Sequence, residues 1–130
     1  MLKTLNIKSR TRTEFIDITD DINTIVRESG LKSGICYLYV PHTTAAITIN
    51  EGADASVKRD ILTALNKLVP LAGDYQHLEG NSDAHIKSSL IGVSTAILIE
   101  DSRLVVGTWQ SVFFCEFDGP RHRKVFIKVI

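Results

Sequence analysis

The chain has 130 residues, 44% hydrophobic and 23% charged, with 15 Lys and Arg against 15 Asp and Glu, so its formal net charge is zero. This is the composition of one ordinary globular domain, residues 1–130, whose core is large enough to need no disulfide or metal staple. Zero net charge argues against wholesale binding to nucleic acid or an anionic membrane, which call for a basic excess or face, and no apolar run approaches the roughly 18 residues of a membrane span.

Residues 2–9 place Leu5 and Ile7 on one parity with polar residues between, the pattern of an edge strand. A second short strand is expected over 15–18. Thr19, Asp20 and Asp21 then offer an N-cap and first-turn acids, Ile22, Ile25 and Val26 make a helical stripe, and Gly30 stops it, which predicts a helix over 20–29. Residues 34–40 (GICYLYV) and 45–50 (AAITIN) read as buried strands either side of Pro41. Asp54 caps a longer helix, in which Val57, Ile61, Leu62, Leu65 and Leu68 recur at helical spacing before Pro70. After a loop, Ser82 is expected to cap a short helix with Ile86, Ser89 and Leu90 on one face and Gly92 at its end. The remainder is β: strands over 94–99, 104–106, 109–117 and 123–129, with Asp118-Gly119-Pro120 as a turn. Strands and helices do not alternate one for one. The expected fold is therefore α+β, with antiparallel sheets in a sandwich-like arrangement, two main helices and one short helix in a single domain.

Cys36 and Cys115 both sit in apolar stretches and are too few for a disulfide framework. They read as buried free thiols in a reducing compartment, with one bridge between neighbouring strands as the alternative. No signal peptide is visible at the N-terminus, so a cytoplasmic location is expected.

Four histidines are present. His42 ends a buried strand and begins a short loop, which places a side chain accurately. His77 lies in a loop with Glu79 two residues on. His85 sits near position N3 of the short helix, where the helix dipole keeps imidazole neutral and able to bind a metal or act as a base. His122, between Arg121 and Arg123, reads as solvated. Each histidine taken singly is an ordinary core or surface residue, and there is no HExxH or paired CxxC. A site of His42, His77 and His85 has to be assembled by tertiary structure; it would leave an open position suited to catalytic Zn²⁺.

Glu116 shares a strand face with Gln110, Val112 and Phe114. An acid there is either a structural ion pair or subunit contact, or an acid/base group, and Gln110 is a hydrogen-bonding partner for a ligand. Asn50 and Glu51 sit at a strand-to-helix junction and serve either turn geometry or function. There is no Walker A loop, GxGxxG or GxSxG. Phosphate has candidate contacts in Lys87, Ser88, Arg121 and Arg123 beside the amides of the Ser82 helix, though each of these residues taken singly reads as solvated.

Three blocks occur in order: Pro41-His42-Thr43-Thr44-Ala45 with Asn50-Glu51; His77-Leu78-Glu79-Gly80-Asn81 followed by Ala84-His85-Ile86-Lys87-Ser88-Ser89; and Gly107-Thr108-Trp109-Gln110 with Glu116 and Asp118-Gly119-Pro120-Arg121. In these the chain resembles, over nearly its whole length, the YjbQ-like family of small cytoplasmic proteins described as secondary thiamine-phosphate synthases. The resemblance implies an α+β fold, a homotrimer with sites near subunit boundaries, and a pocket in which His42, His77 and His85 gather around a metal ion. It further implies that Asn50, Glu51, Gln110 and Glu116 complete that pocket or its surroundings. Imidazoles suit Zn²⁺ better than Mg²⁺. Expelling pyrophosphate normally calls for Mg²⁺ and basic groups. Thiamine-phosphate synthesis is therefore expected as a side activity.

The leading expectation is a metal-dependent enzyme acting on a small phosphorylated substrate. His42, His77 and His85 hold the metal, Glu116 or Glu51 serves as acid/base, and Gln110, Asn50, Lys87, Ser88 and Arg121 meet the substrate. The alternatives are a non-enzymatic trimer that binds a metal or small ligand, and a metal-dependent hydrolase.

Overall fold

The computed structural model describes residues 2–130. In chain order the elements are β1 (Leu2–Lys8), β2 (Glu14–Asp17), α1 (Thr19–Ser29), β3 (Gly34–Tyr39), β4 (Ala45–Glu51), α2 (Ala55–Leu68), α3 (Ser82–Ile91), β5 (Ser94–Glu100), β6 (Arg103–Leu104), β7 (Gln110–Glu116) and β8 (His122–Val129). Every strand pair is antiparallel. The strands form two sheets, β1-β8-β3-β5-β6 and β2-β7-β4. The expected α+β architecture of stacked antiparallel sheets is the one the chain adopts, with β1 at an edge.

Period-two alternation sorts the side chains into layers. Cys36, Leu38, Ile97, Ile99, Val125 and Ile127 point from the larger sheet into a core shared with Ile47, Val112 and Phe114 of the smaller one. Ile22 and Val26 of α1 close this core at the side. Phe15, Ala46, Phe113 and Cys115, on the other face of the smaller sheet, meet Ala84 of α3 and Ile61, Leu62 and Leu65 of α2. Strand β7 is thus covered on both faces, which is why its sequence is a continuous apolar run. The larger sheet turns its outer face to solvent, with Tyr37, Tyr39 and Leu98 half or more exposed.

Local chemistry sets the helix ends. Asp54 caps α2 as expected, its carboxylate accepting the Ser56 N–H at 2.9 Å. In α1 the N-cap position falls to Ile18 rather than Thr19. Asp17 instead accepts the Thr19 N–H at 3.0 Å, and Thr19 Oγ1 accepts the Val112 N–H at 2.8 Å, which ties the helix to β7.

The third helix departs furthest from expectation. Its N-cap is Asn81, so His85 is its fourth residue, and with 10 residues it nearly matches the 11 of α1. It buries Asp83, Ala84, Lys87 and Ser88 and leaves Ile86 and Leu90 exposed. The charges enter as a pair one turn apart. Lys87 Nζ donates to Asp83 at 3.1 Å and to Asn66 at 2.7 Å, and Arg12 donates to both Asp83 oxygens at 3.0 and 3.1 Å. A buried charge is tolerable only when paired and hydrogen-bonded in this way. The small Ala84 and Ser88 then let the helix lie close against β4.

One smaller difference follows from pairing. Of the strand expected over 104–106 only Leu104 joins the ladder, preceded by Arg103 rather than followed by residues 105 and 106. As expected, Cys36 and Cys115 are buried free thiols; they lie in separate cores, so the alternative of a bridge does not arise. Burial raises both thiols, that of Cys36 to about 11. Among the described residues no helix is long and apolar enough to cross a membrane.

Candidate functional site

The loop between β3 and β4 and the helix α3 bring His42 and His85 to one hollow of about 520 Å³, which Ser88, Ser89 and Val93 also line. His85 is also a wall of an adjoining hollow of about 450 Å³ that contains Tyr75, His77 and Ser82. His77 and His85 stand edge to face with ring centres 5.3 Å apart. The three histidines, drawn from three separate segments, therefore line two hollows that share His85 as a wall and are together called the groove below. The Ser88 hydroxyl is buried in the wall of this groove and has no hydrogen-bond partner.

The imidazoles differ in what they can do. His42 Nε2 accepts the Lys124 N–H at 2.9 Å, so its proton sits on Nδ1 and the ring presents a donor. Burial, and then the Arg123 guanidinium, lower its pKa below the ordinary histidine value and keep the ring neutral. His77 Nε2 lies 3.7 Å from the Glu79 carboxylate, too long for a hydrogen bond.

This geometry bears on the expected metal. Zn–N bonds of about 2.0–2.1 Å put the centres of two imidazoles on one tetrahedral ion roughly 5 Å apart. The His77–His85 pair fits that spacing, and Glu79 adds a carboxylate of the right type. His42 does not fit while its Nε2 holds the Lys124 amide. Among the described residues no three His, Cys, Asp or Glu side chains are already gathered tightly enough to hold an ion.

Glu116 is fully buried at the end of β7. One carboxylate oxygen accepts from Ser9 Oγ at 2.6 Å and Arg123 Nε at 2.9 Å; the other accepts from the Asp118 N–H at 3.0 Å and from Arg123 Nη2. Arg123 also donates to Thr44 Oγ1 at 2.8 Å. Burial alone would raise the Glu116 pKa, but the bonds from Arg123, Ser9 and Asp118 outweigh it and hold the carboxyl below its ordinary range. All its acceptor capacity is in use, and it braces the floor beneath the His42 loop. Its partner was legible: Arg123 alternates with Val125 and Ile127 and so faces inward, as Glu116 does.

The other expected site residues lie apart from the groove. Ala45 pairs with Glu116 at one end of the β4–β7 ladder and Glu51 with Gln110 at the other. Six residues at about 3.3 Å put the two ends roughly 20 Å apart. There Asn50 Oδ1 accepts the Glu51 N–H at 2.7 Å, Glu51 accepts the Ala53 N–H at 2.8 Å, and Gln110 Oε1 accepts the Gly107 N–H at 2.7 Å, all of them turn bonds. Lys87 is internal, and Arg121 is engaged with Asp118 through its carbonyl at 2.8 Å and its carboxylate at 3.1 Å. Ser88 alone of the expected phosphate contacts lines the groove.

Comparison with known proteins accounts for the whole chain. The family model "UPF0047 protein YjbQ-like" matches residues 3–130. The chain is 55% identical over 130 residues to the UPF0047 protein MJ1081 of Methanocaldococcus jannaschii, covering all of this chain and 94% of that one. It is 49% identical to the UPF0047 protein YugU of Bacillus subtilis, over all of this chain and 99% of that one. Among solved structures, an uncharacterized conserved protein of the family from Clostridium acetobutylicum superposes with a TM-score of 0.96 at 53% identity, over 98% of this chain and 99% of that one. The fold, the three sequence blocks and these matches agree: the chain belongs to the YjbQ-like family, UPF0047.

Proposed function

We propose that this chain is a cytoplasmic, metal-dependent enzyme acting on a small phosphorylated molecule in the His42–His85–His77 groove. The observation that carries the reading is the convergence of three histidines from distant segments on one groove whose wall holds an unpartnered, buried Ser88 hydroxyl. In this reading His77 and His85, with Glu79, hold a divalent ion, Zn²⁺ before Mg²⁺ on the preference of imidazole. The ion would supply charge neutralisation at a leaving phosphate or activate a water. His42 donates a hydrogen bond from Nδ1, Ser88 orients the substrate, and the Glu116–Arg123 pair holds the His42 loop in place. Thiamine-phosphate synthesis is the named activity we put to the test, as a side activity of this groove.

We also propose a homotrimer. Tyr37, Tyr39 and Leu98 make an apolar outer sheet face of the kind that subunit association covers. A second copy is also the means by which Asn50, Glu51 and Gln110, about 20 Å from the groove on their own chain, would approach a groove at all.

Elemental analysis of protein purified without chelator tests the reading. Near-stoichiometric zinc is expected in the wild type and in His42→Gln, and its loss in His77→Ala and His85→Ala. Absence of any metal after a zinc soak, or equal retention in all variants, overturns the metal assignment. Product analysis with hydroxymethylpyrimidine diphosphate and thiazole phosphate separates a synthase, which forms a carbon–nitrogen bond, from a hydrolase. Metal retention without turnover of any phosphorylated substrate leaves a non-enzymatic binding trimer.

A further inference from the structure

The cationic groups expected to meet phosphate do not face the groove, since Lys87 is internal and Arg121 is held by Asp118. Two other lysines and a histidine stand beside His42. In the β1–β8 ladder Lys8 stands opposite His122, and Asn6 opposite Lys124. These four share a parity opposite to that of the buried Ile7 and Arg123, so they project together from the outer face.

Here they bound a concave space. A hollow of about 270 Å³ is lined by Lys8, His42, His122, Arg123 and Lys124 among others, and none of its described lining residues is acidic. Glu116 lies beneath it, fully engaged by Arg123 and Ser9. The volume falls just below the roughly 300–1,000 Å³ of whole-ligand sites, enough for an anionic group but not for a whole cofactor.

His42 joins this hollow to the groove, since it is a wall of both. Its bond to the Lys124 N–H fixes the loop against β8 and leaves Nδ1–H as a donor at the junction. On the groove side stands the unpartnered Ser88 hydroxyl.

We propose that the Lys8–His122–Lys124 hollow is the anion subsite of the groove, holding the phosphate or diphosphate group of a ligand whose neutral body extends past His42 to Ser88 and His85. This rests on the reading of the groove as a site for phosphorylated molecules and assigns the residues that recognise the phosphate. A single concave cluster, rather than a basic stripe, points to one small anion and not to a polynucleotide backbone.

The test is calorimetric titration of metal-free protein with inorganic pyrophosphate at low and moderate salt. Wild type is expected to bind, with affinity falling as salt rises. The double variant Lys8→Gln/Lys124→Gln, both residues exposed, is expected to lose at least tenfold in affinity with an unchanged melting temperature, while Arg121→Gln binds as wild type. The inference is overturned if the double variant binds pyrophosphate like wild type, or if wild type binds an oligonucleotide and not pyrophosphate. Zinc content measured on the same double variant keeps the two questions apart. Retained zinc with unaltered pyrophosphate binding condemns the subsite alone, whereas pyrophosphate binding lost in the variant while no form holds metal condemns the metal assignment alone.

Discussion

The Nε2 atom of His42 accepts the backbone N–H of Lys124 at 2.9 Å, across a sequence separation of 82 residues. This bond decides the tautomer, and burial beside Arg123 decides the charge, since both hold the ring's pKa below its ordinary value of about 6.5. The unfolded chain therefore takes up this proton at a higher pH than the folded one. The associated stability is complete above about 6.5 and is lost as pH falls through the folded value. In a two-bond imidazole ¹H–¹⁵N correlation spectrum, His42 is expected as the Nδ1-protonated neutral ring at pH 7.5. An Nε2-protonated or charged ring at that pH would contradict the bond.

Glu116→Gln is expected to destabilise the fold by about 3–5 kcal/mol, because it leaves the Arg123 guanidinium buried without its counter-charge. Replacing both partners, Glu116→Leu with Arg123→Met, should cost less than either single change. Denaturant unfolding of the three variants reads this directly, and additive losses would refute a coupled pair. The depressed Glu116 pKa gives a second signature: its stabilisation is present above the ordinary value of about 4.3 and fades as pH falls through the folded value.

A methyl group at position 119 has nowhere to go. An alanine Cβ there would stand 2.3 Å from the Thr11 carbonyl oxygen and 2.8 Å from both Glu116 Cγ and Ser9 Oγ. Gly119→Ala should therefore cost about 1–3 kcal/mol through overpacking and disturb the Glu116 network. Gly80→Ala meets no neighbour within 4 Å and carries only the cost of its φ of +78°, about 1 kcal/mol. Equal melting temperatures for the two variants would show that the 119 turn relaxes freely.

Lys87→Met removes the amine that bonds Asp83 and Asn66 but leaves Arg12 on Asp83. A loss of about 1–3 kcal/mol is expected for the unsatisfied partners, with pyrophosphate affinity unchanged. A selective loss of pyrophosphate binding at wild-type stability would instead return Lys87 to the phosphate site.

What can be read along the chain is what local physics controls. The strand over 109–117, the Asp54 cap and the Gly30 stop were all visible, because periodicity and capping depend on neighbours within about one turn or one pleat. The inward parities of Glu116 and Arg123 are visible too; that the two meet each other and Ser9 is not, because sheet pairing brings these segments together.

The buried face of α3 was misjudged for a related reason. Ile86 and Leu90 look like its core side, yet the helix buries Asp83 and Lys87. Burying charge is favourable only when remote groups, here Arg12 and Asn66, complete the hydrogen bonds.

The sequence by itself determined the class of fold, the antiparallel character of its sheets, and which histidines were worth following. Tertiary structure alone decided that His42, His77 and His85 share one groove, that Asn50, Glu51 and Gln110 sit at the opposite end of the β4–β7 ladder, and that Lys8, His122 and Lys124 face one hollow beside His42. The difference is one of range. An element's type follows from the apolar pattern of its own residues, whereas a site is made where packing joins segments whose separation carries no local signal.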